Sequence, residues 1–187
     1  MAWMTRKQLE RLGFRRIGAN VHVSNKAVIY DASQVALGEN SRIDDFCVIS
    51  GRVEIGRNVH VAVFSNVAGG ELGVELGDFS GLAYGCSVFS QSDDYTGASM
   101  TNPTVPDIYK REIKAAVRIG RHCIVGAHSV VFPGVDMRDG CALGAMSMLT
   151  KTTNEWGIYF GVPAKRVKER KRELLELEMD YLYGNGE

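Results

Sequence analysis

The sequence predicts an all-β protein, a parallel β-helix of about six coils with a short helix at its start, a long protruding loop and a helix at its end. Three observations carry that reading. Aliphatic residues recur every six positions, a small residue recurs four positions after most of them, and glycine is abundant where proline is scarce, 21 against 4. Neither an α-helix nor antiparallel strands give a period of six, whereas short strands joined by tight corners do.

Taken in chain order, residues 1–16 come first. Met4 to Gly13 has Leu9 and Leu12 at helical spacing, which predicts a helix capping the bottom rung, where apolar residues and unpaired strand edges would otherwise face water. The repeat spans 17–154. It begins at Ile17, Val23 and Ile29, slips by two, and runs unbroken through Leu37, Ile43, Ile49, Ile55, Val61 and Val67. After a three-residue insertion it continues at Leu76, Leu82 and Val88, and it returns at Ile119, Val125, Val131, Met137, Leu143 and Leu149. Each aliphatic is expected to point inward and stack on its equivalents one coil away. The residue four positions on, among them Ser41, Cys47, Ser65, Ser80, Cys86, Cys123, Ser129, Cys141 and Ser147, is expected inside a corner; only Glu71 breaks the pattern. All four cysteines hold such positions, which marks them as compact buried residues without disulfides.

Between the two blocks, the loop 90–117 carries Pro103, Pro106 and turn formers such as Asp94 and Gly97. A long irregular loop leaving a regular scaffold is usually functional. The last segment, 155–187, is rich in Lys, Arg, Glu and Leu from Lys165 to Tyr183 and predicts a helix there.

Composition excludes several function classes. The 22 basic and 22 acidic side chains cancel, which argues against a general nucleic-acid binder. No apolar run has the roughly 20 residues of a membrane span, so no membrane insertion is expected. The first residues lack a signal-peptide core, which leads us to expect a cytoplasmic protein.

The segment Ile119-Gly120, Val125-Gly126-Ala127, Ser129-Val130-Val131, Pro133-Gly134-Val135, Leu143-Gly144-Ala145, Thr150-Lys151 and Gly161-Val162-Pro163-Ala164-Lys165 resembles the hexapeptide-repeat acyltransferases, the superfamily of galactoside, maltose and xenobiotic acetyltransferases. The loop residues Ser92 to Gly97 with Thr101-Asn102-Pro103 resemble a subgroup that modifies surface-polysaccharide sugars. The resemblance implies a left-handed coil, a homotrimer, and acetyl-CoA in the cleft between two subunits. It further implies that the pantetheine arm passes Ala127, Ser129, Ala145 and Ser147, and that Lys165 and Arg166 meet the 3′-phosphate of CoA, a charge-assisted contact.

Galactoside-type relatives carry a catalytic histidine in the long loop; counted from Val88, the matching position here is Asp93, and no histidine lies between His60 and His122. Acetyl transfer to a hydroxyl needs a proton acceptor and oxyanion donors. His60, at an outward position one coil below the loop, is the favoured base, with Asp93 next. Asp94 is a candidate to orient sugar hydroxyls, Asn66 to bind a hydroxyl or the acetyl carbonyl, and Tyr84 and Tyr95 to stack on a sugar ring.

The expected activity is therefore transfer of acetyl from acetyl-CoA to a sugar hydroxyl, in surface-glycan or sugar-precursor modification. The alternative is N-acetylation of a nucleotide-linked amino sugar, because a neutral amine needs less help from a base. A γ-carbonic anhydrase shares the fold but needs three converging histidines for zinc; His122 and His128 fall on successive faces of one coil, and no metal is expected.

Overall fold

Each hexapeptide supplies one short strand and one corner, and three of them close a coil. In the computed structural model, which describes residues 2–184, the strands form three parallel sheets, one per face of a triangular prism. The first face stacks Arg16–Ile17, Val35–Leu37, Val53–Ile55, Val74–Leu76, Val117–Ile119 and Asp136–Met137. The second stacks His22–Val23, Arg42–Ile43, His60–Val61, Gly81–Leu82, Ile124–Val125, Ala142–Leu143 and Gly157–Gly161, and the third Val28–Ile29, Val48–Ser50, Asn66–Ala68, Ser87–Phe89, Val130–Val131 and Met148–Leu149.

Of the 18 aliphatic positions of the repeat, all but Ile17 and Ile29 are buried, and those two, in the lowest coil, pack against the same core. The inner corner positions follow the sequence frame wherever no residues are inserted. Between the third and first faces three insertions shift it: a 3-10 turn (Ala32–Gln34), the segment 69–73 and the long loop. There Ser33, Glu71 and Ser92 do not fill the corner. Val35, Val74 and Val117 do so instead, in register with Val53. The chain thus restores an inward apolar residue after each insertion, because an empty inner corner would leave a void along the whole stack.

The cysteines sit as expected. The Cys47, Cys86, Cys123 and Cys141 thiols are buried and free, each directed at a carbonyl one coil above, with Cys47 Sγ 3.0 Å from Ala62 O. Burial pushes Cys47 up to about 11 and Cys123 up to about 12, so these thiols are unreactive.

At the bottom, helix α1 (Arg6–Leu12) buries Leu9 against the first coil. Thr5 and Gln8 form a capping box at its start, and Gly13 ends it in the left-handed conformation. At the top the expectation of one helix from Lys165 is corrected. Ala164–Glu169 turns back as an antiparallel strand on Gly157–Gly161, and helix α2 covers only Leu174–Tyr183. The hairpin pairs the last open edge of the second sheet, a need that the charge-rich composition of the segment does not reveal. Met1 and residues 185–187, included in the expected end segments, lie outside the described residues.

Helix α2 lies along the corner between the first and second faces. Glu178, 5% exposed, pairs with Arg121 and accepts a hydrogen bond from His122 Nε2 at 2.9 Å, while Tyr181 accepts one from Asn58 at 2.9 Å and meets Phe79 edge-on. Among the described residues no helix is long and apolar enough to cross a membrane.

Candidate functional site

The outward side chains divide the prism by chemistry. Along the first face they are Arg16, Ala36, Glu54, Glu75, Arg118 and Asp136, and Arg15 and Arg16 pair with Glu54 while Arg118 pairs with Asp136 and Asp139. A cleft of about 330 Å³ on this face is lined by Glu54, Glu75, Arg118 and Asp136 and by Arg52 and Leu72. The second face presents His22, Arg42, His60, Gly81, Ile124 and Ala142 outward, and the third Val28, Val48, Asn66, Ser87, Val130 and Met148. The corner between these two faces carries exposed Phe46, Phe64, Tyr84 and Met146, with Phe46 and Phe64 stacked at 5.2 Å. The first face is therefore ionic over most of its height, while the opposite corner carries exposed aromatics and has charge only in its lower coils, from Arg42 with Asp44 and Lys26 with Asp45.

His60 occupies the third coil of the second face. Its ring is 46% exposed, and Nε2 lies 2.8 Å from Asp44 Oδ2, while Arg42 Nε holds Asp44 Oδ1 at 2.6 Å. Asp44 is 3% exposed. Burial by itself would raise its pKa, but hydrogen bonds and charge from Arg42 and His60 outweigh burial and hold the carboxyl below its usual value. An ionised Asp44 fixes the His60 ring in one orientation, the relation of base and orienting group in general-base sites. Asp44 was not singled out from the sequence, although a signal exists: directly after the aliphatic, the second face carries Ser24, Asp44, Ala62, Ala83, Gly126 and Gly144, and Asp44 is the only ionisable member.

The long loop leaves the third face after Phe89. Its first and last residues pair as antiparallel strands (Gln91–Ser92 with Ile113–Lys114), so it stands on a two-stranded stem. Asp94 is committed to the loop's own shape, accepting from Thr96 N–H at 2.8 Å, Thr96 Oγ1 at 2.7 Å and Ser99 Oγ at 3.0 Å. Asp93 makes one longer contact, from Asn102 N–H at 3.3 Å. Asp93 and Tyr95 line a hollow of about 410 Å³ with Phe89, Gln91, Ser92, Pro103 and Glu112. Asn66 belongs to this third face, one rung below Ser87.

Within one chain, then, Asn66 lies on the third face, from which the loop leaves, and His60 is joined to Asp44 on the second, and the structure does not bring His60 and Asp93 onto one face. Ser129 and Ser147 are buried. Ser129 Oγ donates to Gly144 O at 2.8 Å, and Ser147 Oγ accepts from Gly161 N–H at 2.9 Å, so only the backbone of this corner, with Ala127 and Ala145, is left to meet a ligand. Lys165 and Arg166 lie on the closing hairpin; Arg166 pairs with Glu169, and Lys165 has no ion pair among the described residues. Among the remaining histidines, His122 is held beneath helix α2, His128 lies over Gly85, and His22 meets Trp3 at the bottom of the prism. Among the described residues no group of three or more His, Cys, Asp or Glu is arranged to hold a metal ion.

A family model described as the hexapeptide repeat of succinyl-transferase matches residues 116–151. The chain is 38% identical over 181 residues to the dTDP-4-amino-4,6-dideoxy-D-glucose acyltransferase of Escherichia coli, covering 95% of this chain and 94% of that one. Its structure matches that of a single-residue variant of AntD, an N-acyltransferase from Bacillus cereus, in complex with dTDP-4-amino-4,6-dideoxyglucose and coenzyme A; the TM-score is 0.96, with 41% identity over 97% of each chain. AntD is also known in complex with dTDP and 3-hydroxybutyryl-CoA. A maltose O-acetyltransferase from Clostridium difficile shares the fold alone, at a TM-score of 0.57 and 18% identity over 89% of this chain and 74% of that one.

Proposed function

The chain belongs to the hexapeptide-repeat acyltransferases, and from that premise we propose that it moves a short acyl group from coenzyme A to the amino group of a nucleotide-linked amino sugar. The observation that carries this reading is the near full-length likeness to an acyltransferase and an N-acyltransferase of dTDP-4-amino-4,6-dideoxyglucose. Sequence alone puts a sugar hydroxyl first as acceptor and an amine second. These relatives favour the amine. Chemistry supports the same order: the chain lacks a loop histidine, and a neutral amine attacks a thioester without first losing a proton.

In the proposed reaction the amine nitrogen attacks the thioester carbonyl, the tetrahedral intermediate collapses, and CoA leaves as the thiol. The nitrogen must shed one proton on the way. His60, oriented by Asp44, or Asp93 on the loop receives it, while Asn66 and backbone N–H groups steady the oxygen. Because His60 and the loop lie on different faces, one site built from both requires two copies. The upper coils of the second and third faces, whose outward residues are Gly81, Ile124, Ala142, Ser87, Val130 and Met148, and the exposed aromatics of the corner between them suit a homotrimer in which the second face of one subunit meets the third face of the next. Acyl-CoA would lie in that cleft along Ala127 and Ala145, with Lys165 and Arg166 toward the 3′-phosphate. An acceptor and donor of this kind are metabolites of the cytoplasm, which supports a cytoplasmic location.

The test is direct. Purified protein with acetyl-CoA should acylate dTDP-4-amino-4,6-dideoxyglucose and release free thiol in equal amount, and should leave the corresponding 4-hydroxy sugar nucleotide unmodified. Acylation of the hydroxyl compound in preference to the amine would restore the O-acetyl reading.

A further inference from the structure

Gly81 occupies a position where nothing in its own chain calls for glycine. It sits in the middle of the second sheet, paired to His60 below and Ile124 above, and its backbone is ordinary strand. A Cβ built there would meet only the His60 carbonyl oxygen, at 3.8 Å, which is ordinary contact. The repeat glycines behave differently: a Cβ on Gly126 would lie 2.4 Å from Ala145 N, and one on Gly56 2.5 Å from Asp78 Oδ1. Glycine weakens the interior of a sheet and is placed there when a bulge is formed or when something approaches the backbone closely. The ladder at Gly81 is regular on both sides, so no bulge accounts for it. What needs the space lies outside the chain.

The neighbours indicate what approaches. Gly81 leaves a notch two strand spacings high, roughly 10 Å, between two outward side chains. Below it stands the His60 ring, and above it Ile124, 47% exposed and apolar. The coils above Gly81 carry Ala127 and Ala145, the expected path of the CoA arm, and the coil below carries the proposed base. A thioester that meets its acceptor at His60, with its CoA arm on the coils above, therefore sets its acyl group at the level of the notch.

We propose that Gly81 sets the size of the acyl group, its missing side chain making room for acyl chains longer than acetyl. The inference rests on the acyl-CoA reading above. It is tested with Gly81→Ala and Gly81→Val, measuring kcat/KM for acetyl-, butyryl- and 3-hydroxybutyryl-CoA, the Kd of acetyl- and butyryl-CoA without acceptor, thermal stability, and sedimentation. Both variants should melt at or above the wild-type temperature with unchanged sedimentation. Gly81→Ala should retain most acetyl transfer while the butyryl-to-acetyl ratio falls about tenfold, and Gly81→Val should lower that ratio further, as one methylene in a close-fitting pocket is worth about 10–200-fold. Equal losses with every donor, or none with any, would overturn the proposal. Dissociation of the oligomer would overturn it too, by assigning the space to a partner's backbone. A wild-type protein that acylates no amine but whose butyryl-CoA affinity still falls selectively in Gly81→Val would sink the acceptor reading and leave this one standing.

Discussion

His60 and Asp44 form a pair in which the ring is open to solvent and the buried carboxylate holds it still. Substituting His60 by Ala should lower turnover by about 10²–10⁴-fold with little change in acyl-CoA affinity, provided the ring takes the proton. Asp44→Asn should lower turnover less and leave acyl-CoA binding intact, since it disturbs orientation only. Asp44 also has a stability signature. Its folded pKa is depressed, so its contribution is complete above the unfolded value of about 3.9 and is lost as pH falls through the folded value. Acid unfolding of Asp44→Asn should therefore lose part of the wild-type slope below about pH 4. In the loop, Asp93→Asn reports on chemistry and Asp94→Ala on loop order, because only Asp94 is bound by three donors. A dead Asp93→Asn beside a near-normal His60→Ala would move the proton to the loop. At this scale the sequence offers His60 as a candidate but gives no direct pointer to Asp44 beside it. The two lie 16 positions apart, and their meeting depends on one coil stacking on another.

At the scale of the element, the helix and hairpin at the top act as a clamp. The Glu178 carboxyl is held below the usual glutamate value, chiefly by the hydrogen bond from Arg121, with His122 adding to it against burial. Glu178→Gln should cost about 1–2 kcal/mol, modest because the Arg121 side chain is half exposed, and should raise hydrogen exchange in Leu174–Tyr183. The wild-type clamp should loosen as pH falls below about 4.3, the unfolded glutamate value, through the lower folded one. Lys165→Ala with Arg166→Ala should weaken acyl-CoA by about 1.5–3 kcal/mol and spare the analogue without the 3′-phosphate. Equal losses for both ligands would mean that this hairpin does not read the phosphate. The elements of the prism were legible because a period of six leaves one solution for burying its aliphatics. The hairpin was not, since Ala164–Glu169 is pulled into strand by an open sheet edge that no local pattern in Lys165 or Arg166 encodes.

For the whole molecule the decisive quantity is the number of copies. Sedimentation at micromolar concentration should give a trimer, and where His60→Ala and Asp93→Asn each abolish activity, mixing the two proteins should restore it in hybrid trimers, because some clefts then receive both intact groups. Mixtures that stay inactive while subunits exchange would place both residues in one subunit's site.

The register across the long loop has a further consequence, for the order in which the chain folds. Val74 pairs with Val53, 21 positions earlier, but with Val117, 43 positions later. Ala115 N–H reaches Ser90 O at 2.9 Å, so the ends of the excursion touch. Closing the longer segment costs only about 0.6 kcal/mol more per doubling of length, little for stability, yet it falls on the single step that joins the lower four coils to the upper two. In a stack where each rung rests on its neighbours, that junction is where a propagating front should pause. Stopped-flow folding with pulse-labelled hydrogen exchange should find the lower coils protected before the upper ones. Replacing residues 91–114 by a tight turn should remove the pause and leave a stable prism without transferase activity.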